Sequence, residues 1–210
     1  MSYVKLLLNV LFPPKGAAVF VRLDDKTLAG LPHLNNDNRA NLQAVVSYKH
    51  RIVRAMIWNI KYKKNPDALY CGGYLLYEHI KEHYMVAKET LYIVPIPVSL
   101  SRRRERGYNQ CELLAQAVVE RDTSGSVVLV SNLLLRIKNT KKQTFKSRKE
   151  RLASMEKVFS LNSAVMRSFK KDARIVVLDD VITTGSTLQA AMGCFRESRY
   201  ENVWGLGLAH

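Results

Sequence analysis

The chain is poor in cysteine. Cys71, Cys111 and Cys194 are widely spaced, odd in number and form no CxxC pair. That pattern excludes a zinc knuckle and a disulfide framework, and it points to a reducing compartment. Long apolar runs are also missing, since no stretch approaches the roughly 20 apolar residues that a bilayer crossing needs. The apolar start at residues 6–12 is short, lacks a small-residue cleavage site and runs into Pro13-Pro14. It reads as a short N-terminal helix, not a signal peptide, and the expected location is the cytoplasm. A phosphate loop of the Gly-Lys-Ser/Thr type is absent. Acidic residues are scarce: 18 Asp and Glu stand against 33 Lys and Arg, a net charge of +15. Such a surface attracts nucleic acid, anionic lipid or small phosphorylated ligands, or is simply basic and inert.

What is present suits one domain of 210 residues with a single core. Residues 13–42 are poorly patterned, with Pro13, Pro14, Gly16, Gly30 and Pro32, and read as irregular with one short hairpin, so that 1–42 form an N-terminal helical and irregular segment. The remainder, 43–210, reads as the main domain. From Ala44 to Lys64 the pattern turns helical. Ile52, Val53, Met56, Ile57 and Ile60 share one face, and Lys49, Arg51, Arg54, Lys61, Lys63 and Lys64 fall elsewhere. Asn65-Pro66 is an N-cap followed by proline at the first helical position, opening a helix to about Val86. Residues 91–97 form a buried strand ended by Pro95 and Pro97. An arginine-rich loop follows over 101–107. Asn109, with Glu112 three residues later, then opens a helix over 110–121. A strand is expected near 133–136, another over 173–178, a helix over 186–198 and a last strand over 202–208. Strands alternating with helices imply an α/β domain with a mainly parallel central sheet flanked by helices.

The strand Ile175-Val176-Val177-Leu178 leads into Asp179-Asp180-Val181-Ile182-Thr183-Thr184-Gly185-Ser186-Thr187. A parallel strand delivers the chain to the carboxyl edge of its sheet, where open α/β folds bind ligands. The turn at Gly185 leads into a helix N-terminus, whose free N–H groups and dipole favour a phosphate. Thr183, Thr184, Ser186 and Thr187 add hydroxyl donors. Carboxylates accept hydrogen bonds from sugar hydroxyls. Phosphate donors beside diol acceptors describe a ribose 5-phosphate group. A plain N-cap cluster would explain Thr-Gly-Ser-Thr alone but not the whole ordered run.

This run resembles the signature of type I phosphoribosyltransferases. Further segments resemble the ComF/GntX family of competence-associated proteins with that fold: Leu11-Phe12-Pro13-Pro14, Tyr48 through Ile60-Lys61-Tyr62, Val94-Pro95-Ile96-Pro97 with Arg102-Arg103-Arg104-Glu105-Arg106-Gly107-Tyr108-Asn109-Gln110, and Gln143 with Lys146, Arg148 and Arg151. The chain departs from that pattern in two places. A cysteine-rich zinc module often follows Phe-Pro-Pro in the family, whereas Lys15-Gly16-Ala17-Ala18 stands here, so no zinc is expected; and Ser154 replaces a usual Asn.

The resemblance implies that 5-phosphoribosyl 1-pyrophosphate, or a related phosphorylated ribose, is the ligand. Asp179 and Asp180 would hold the ribose hydroxyls in the catalytic position, and Val181, Thr183, Thr184, Gly185, Ser186 and Thr187 the 5-phosphate. Pro95, Ile96, Arg102, Arg103, Arg104 and Arg106 would lie on the pyrophosphate side, where forked guanidinium groups suit phosphate oxygens. Mg²⁺ is expected as a companion of the ligand, with no metal site built by the protein. Residues 136–151 hold eight basic side chains and one acid. Lys138, Lys141, Lys142, Lys146, Arg148, Lys149 and Arg151 form either a lid, a nucleic-acid contact surface or a solvated loop. The aromatics Tyr48, Trp58, Tyr62, Tyr70, Tyr74 and Tyr77 suit a core or base stacking. The histidines His33, His50, His79, His83 and His210 suggest no metal set. Three functions are compatible: a phosphoribosyltransferase-fold protein in uptake or processing of transforming DNA, a non-catalytic single-stranded nucleic-acid-binding module, and a nucleobase-salvage transferase; single-stranded DNA and DNA-uptake proteins are the partners expected beside the phosphorylated ribose. No base pocket is legible, and whether the protein turns over is left open.

Overall fold

Alternating burial along a run of β-branched residues builds the centre of the protein. A computed structural model describes residues 20–34, 41–137 and 158–210. The expected N-terminal helix and the basic residues Lys138, Lys141, Lys142, Lys146, Arg148, Lys149 and Arg151 lie outside the described residues.

Five strands form one sheet: β1 Leu42–Val46, β2 Leu91–Pro95, β3 Val127–Leu129, β6 Arg174–Val181 and β7 Val203–Ala209. Their order is β1-β7-β6-β2-β3, and every pairing is parallel. β4 Leu134–Arg136 and β5 Phe159–Leu161 make a separate antiparallel pair. This is the expected α/β architecture with a parallel central sheet flanked by helices.

Successive residues of β6 face opposite ways. Val176 and Leu178 join a core with Val53, Met56, Ile57 and Ile60 of α2 (Arg51–Lys63), Cys71, Leu76 and Ile80 of α3 (Pro66–His83), and Leu114 and Val118 of α5 (Gln110–Val119). Ile175 and Val177 join the other core with Leu188, Met192 and Phe195 of α7 (Ser186–Glu197) and with Phe159. Two short helices, α1 (Asp25–Ala29) and α6 (Ser163–Met166), lie outside this sandwich of helix, sheet and helix. α1 brings Leu28 to the first core, beside Phe20 and Leu31.

Three sequence expectations change. Residues 44–46 are strand, not helix: β1 pairs in parallel with β7, and that ladder outweighs the local helical pattern. The arginine loop is a helix, α4 (Leu100–Arg106), because Ser99 Oγ accepts the Arg102 N–H and Gly107 closes it in the left-handed region at φ 78°. Lys61 is not among the exposed cations. It follows Ile57 by one helical turn and is 6% exposed. The cap expected at Asn65 is present, its Oδ1 accepting the Ala68 N–H at 2.9 Å.

β2 lies between β3 and β6, so its two neighbours come from connections that leave in opposite directions. The carboxyl ends of β2 and β6 therefore flank a topological switch point, where open α/β sheets hold ligands.

Candidate functional site at the sheet switch point

Both acids of the ordered run still belong to β6, with Asp179 opposite Gly207 and Val181 opposite Ala209. The strand's alternation therefore separates them. Asp180 follows Val176 and Leu178 to the α2 side, where its Oδ2 lies 3.2 Å from Lys61 Nζ, both side chains being buried. Its Oδ1 accepts the Val181 N–H at 2.8 Å. Asp179 is half-buried, and its Oδ1 accepts the Asp180 N–H at 2.9 Å and the Cys111 thiol at 3.4 Å. Burial, then the neighbouring Asp180 charge, push the Asp179 carboxyl up to about 7. Burial and the same two carboxylates hold Cys111 well above its ordinary value, so it remains a protonated thiol. Tyr48, also close to Asp180, is raised to about 12, mainly by burial.

Beyond the acids, Ile182 N–H still pairs with Ala209 at 2.8 Å, and the chain then turns through Thr183 and Thr184. Gly185, at φ 79°, is the N-cap of α7 and supplies no side chain to its first amides. Thr184, Ser186 and Thr187 are exposed around this helix start, with Thr183 half-buried. The Thr184 and Ser186 hydroxyls are 3.0 Å apart. Amides and hydroxyls thus converge on one solvent-facing cup suited to an anion.

Across the switch point, Ile96 N–H donates to Leu178 O at 2.8 Å, and Asn109 Nδ2 donates to Ile96 O at 3.1 Å. Asn109 Oδ1 also accepts the Cys111 N–H at 3.0 Å, so one side chain ties the end of β2 to the start of α5. Arg136 of β4 is half-buried and donates from Nη1 to Pro97 O at 3.4 Å. Burial, then the charge of Arg102, pull its pKa down, and Asp179 acts in the opposite direction. Arg136 therefore feels the charges of both Arg102 and Asp179.

Of the sequence-predicted residues, the structure brings Asp179, Asp180, Val181, residues 183–187, Pro95 and Ile96 to this edge, while Arg102 lies exposed on α4 with its charge felt by Arg136. Arg103 and Arg104 are exposed on α4. Arg106 is engaged elsewhere, with its guanidinium 4.9 Å from the Tyr62 ring and Nη1 bonded to Gln110 Oε1 at 3.1 Å. Lys61, Cys111, Arg136 and Tyr48 escaped the sequence reading as site residues. Lys61 alone carried a usable signal, a cation on an apolar helix face. His79, on α3, is bonded to Gln43 Oε1 at 3.0 Å, its pKa lowered to about 4 by burial and then by His83.

Cys111, Asp179 and Asp180 each offer a metal-capable atom, all within 4.8 Å of one another. The set does not fit a resident Mg²⁺. The thiol is soft and protonated, and Lys61 already occupies one Asp180 oxygen. Among the described residues, no helix is long and apolar enough to cross a membrane.

No family model matches the chain. It is 36% identical over 119 residues to Competence protein F of Haemophilus influenzae, a match covering 56% of this chain and 50% of that protein. It is also 36% identical over 107 residues to Competence protein ComFC of Bacillus subtilis, covering 50% of this chain and 38% of the relative. The chain thus spans half or less of the length of these curated relatives.

Proposed function

We propose that this chain, similar over about half its length to two curated competence proteins, is a ComF-type protein that binds Mg²⁺-phosphoribosyl pyrophosphate, or a related ribose 5-phosphate group, in the uptake or processing of transforming DNA. The observation that carries this reading is the anion cup at the start of α7 set beside Asp179 at the switch point. The 5-phosphate sits on the first amides of α7 with the hydroxyls of Thr184, Ser186 and Thr187. Asp179 accepts from the ribose hydroxyls. Arg136 and Arg102 face the pyrophosphate, where a forked guanidinium is worth more than a point charge. Displacement at C1 would break the bond to the pyrophosphate oxygen and form one to a nitrogen nucleophile, whose proton leaves to solvent. The protein's part is positioning and charge placement.

The test is calorimetric titration of Mg²⁺-phosphoribosyl pyrophosphate into the wild type and Asp179→Asn. Asp180 is the wrong residue to change, since its loss strands the Lys61 charge. Binding by the wild type, weakened at least tenfold in the variant, supports the reading. A folded wild type that binds nothing sinks it. Release of pyrophosphate with a panel of nitrogen acceptors then decides turnover.

A second reading, single-stranded DNA binding, is favoured by the net charge of +15 and by Arg102, Arg103 and Arg104, all exposed on α4 beside the site. It predicts that log K falls with log salt by about 0.7 per contacted phosphate. A flat salt response overturns it.

A further inference from the structure

α2 is an amphipathic helix whose inner face consists of Val53, Met56, Ile57 and Ile60. Lys61 continues that face and is buried with it, its side chain 8% exposed. A buried ammonium needs a counter-charge, and Asp180 supplies it at 3.2 Å. The pair sits at one specific place, the last residues of β6, where the strand becomes the anion cup. With Oδ2 on Lys61 and Oδ1 on the Val181 N–H, the Asp180 carboxylate is engaged by the protein on both oxygens. Asp179, on the other side of the sheet, is met among the described residues by an adjacent amide and a thiol.

We propose that Lys61 is the positioning residue of this site, fixing Asp180 and cancelling its charge so that Asp179 alone meets an anionic ligand. Two adjacent carboxylates would repel a ligand that carries several negative charges of its own. Lys61 removes one of them electrically without removing it from the strand, where it holds the corner at Val181 in place. A well-packed apolar pair could supply stability equally well, so an ion pair here serves the charge pattern of the site. Asp179, Cys111 and Tyr48 also lie in the field of Asp180, and Arg54 and Tyr62 act on Tyr48 in turn; among the described residues Lys61 is the cation in ion-pair contact with Asp180. The ligand's identity rests on the reading above, but the pair itself does not.

The experiment has two arms. In the ligand-free wild type, nitrogen NMR of the lysine side chains should show one ammonium protected from solvent exchange at neutral pH, assigned to Lys61 by its loss in Lys61→Arg. If no protected ammonium is present, the proposal falls, whatever the protein binds. The second arm is a double-mutant cycle on affinity for Mg²⁺-phosphoribosyl pyrophosphate, using Lys61→Met, Asp180→Asn and the double variant, with folding checked by circular dichroism. Lys61→Met should weaken binding at least tenfold in the wild-type background and less than threefold in the Asp180→Asn background. Equal losses in both backgrounds would show that Lys61 does not act through Asp180. If Lys61→Met alone fails to fold, the double variant, which strands no charge, should fold and bind as Asp180→Asn does; if it too fails to fold, the role is structural only and the proposal is wrong. A wild type with a protected ammonium but no ligand binding refutes the ligand and leaves the pair standing.

Discussion

Replacing Gly185 by alanine tests the link between the fold and the anion cup. Gly185 has φ 79°, and an added Cβ would lie 2.5 Å from Leu42 Cδ2. The left-handed backbone costs an ordinary residue about 1–2 kcal/mol. Leu42 has little freedom to move away, because its other methyl, Cδ1, lies 2.8 Å from where a Cβ on Gly205 would be. Its side chain is wedged between the two glycines and is 8% exposed. Crowding such a site costs a further ~1–3 kcal/mol. A less flexible unfolded chain returns about 0.4–1 kcal/mol. The net loss is therefore about 2–4 kcal/mol.

Gly193 gives the comparison within the same helix. It lies inside α7, and a Cβ there meets no atom within 4 Å. Gly193→Ala should stabilise by roughly 0.8–1 kcal/mol through helix propensity alone. Urea denaturation of both variants, read at equal slope, measures the contrast. Gly185→Ala should also weaken phosphate-ligand binding at least tenfold, since the first amides of α7 must shift with the turn. Gly185→Ala as stable as the wild type, or Gly193→Ala equally harmful, would refute the reasoning that space and backbone region decide these sites.

Other outcomes follow from the same geometry. The Asp179 carboxyl is raised from 3.8 to about 7, so between those values the folded chain holds a proton that the unfolded chain has released. Stability should then fall as pH rises through that window, and Asp179→Asn should flatten the slope in melts taken from pH 4 to 8. Asn109→Ala removes the cap of α5 and leaves the buried Ile96 carbonyl without its donor. A loss of about 2–4 kcal/mol is expected by denaturation, the sum of a cap and an orphaned acceptor. Arg136→Met should weaken inhibition or binding by inorganic pyrophosphate by roughly 10–100-fold, the weight of one charge-assisted hydrogen-bond donor. An unchanged pyrophosphate affinity would remove Arg136 from the site.

The sequence displayed most of what is contiguous. The run from Ile175 to Thr187 holds strand, acids, turn and helix start in order, and the Asn65-Pro66 cap stands beside the helix it opens. Two elements were obscured by their composition. Leu42–Val46 offers no proline or glycine to separate it from the helical pattern that follows, and its strand state comes from β7, far along the chain. α4 is crowded with arginines that suggest a solvated loop. The signals that override them, Ser99 before and Gly107 after, are each unremarkable alone.

The candidate site was legible only by half, for a related reason. Asp179 and Asp180 are adjacent, and adjacency suggests a pair acting together on one sugar. A strand gives adjacent residues opposite directions, and β6 remains a strand through Val181. What each acid does is therefore decided by the element that packs on its own face: α2 with Lys61 for Asp180, the start of α5 with Cys111 and the field of Arg136 for Asp179. Cys111 lies 68 residues from Asp179 along the chain, and a lone thiol or arginine at such a distance carries no pattern. Lys61 is different. A lysine continuing the Val53, Met56, Ile57 and Ile60 face must be paired or it would not be buried, so its position already requires a carboxylate partner in the core. Among the described residues, Asp180 is the one buried acid. The helix that carries Lys61 and the strand that carries Asp180 thus form one unit of charge. What remains at the switch point is a single half-buried carboxyl group, its pKa raised to about 7 by burial and then by Asp180, beside a cup of amides and hydroxyls.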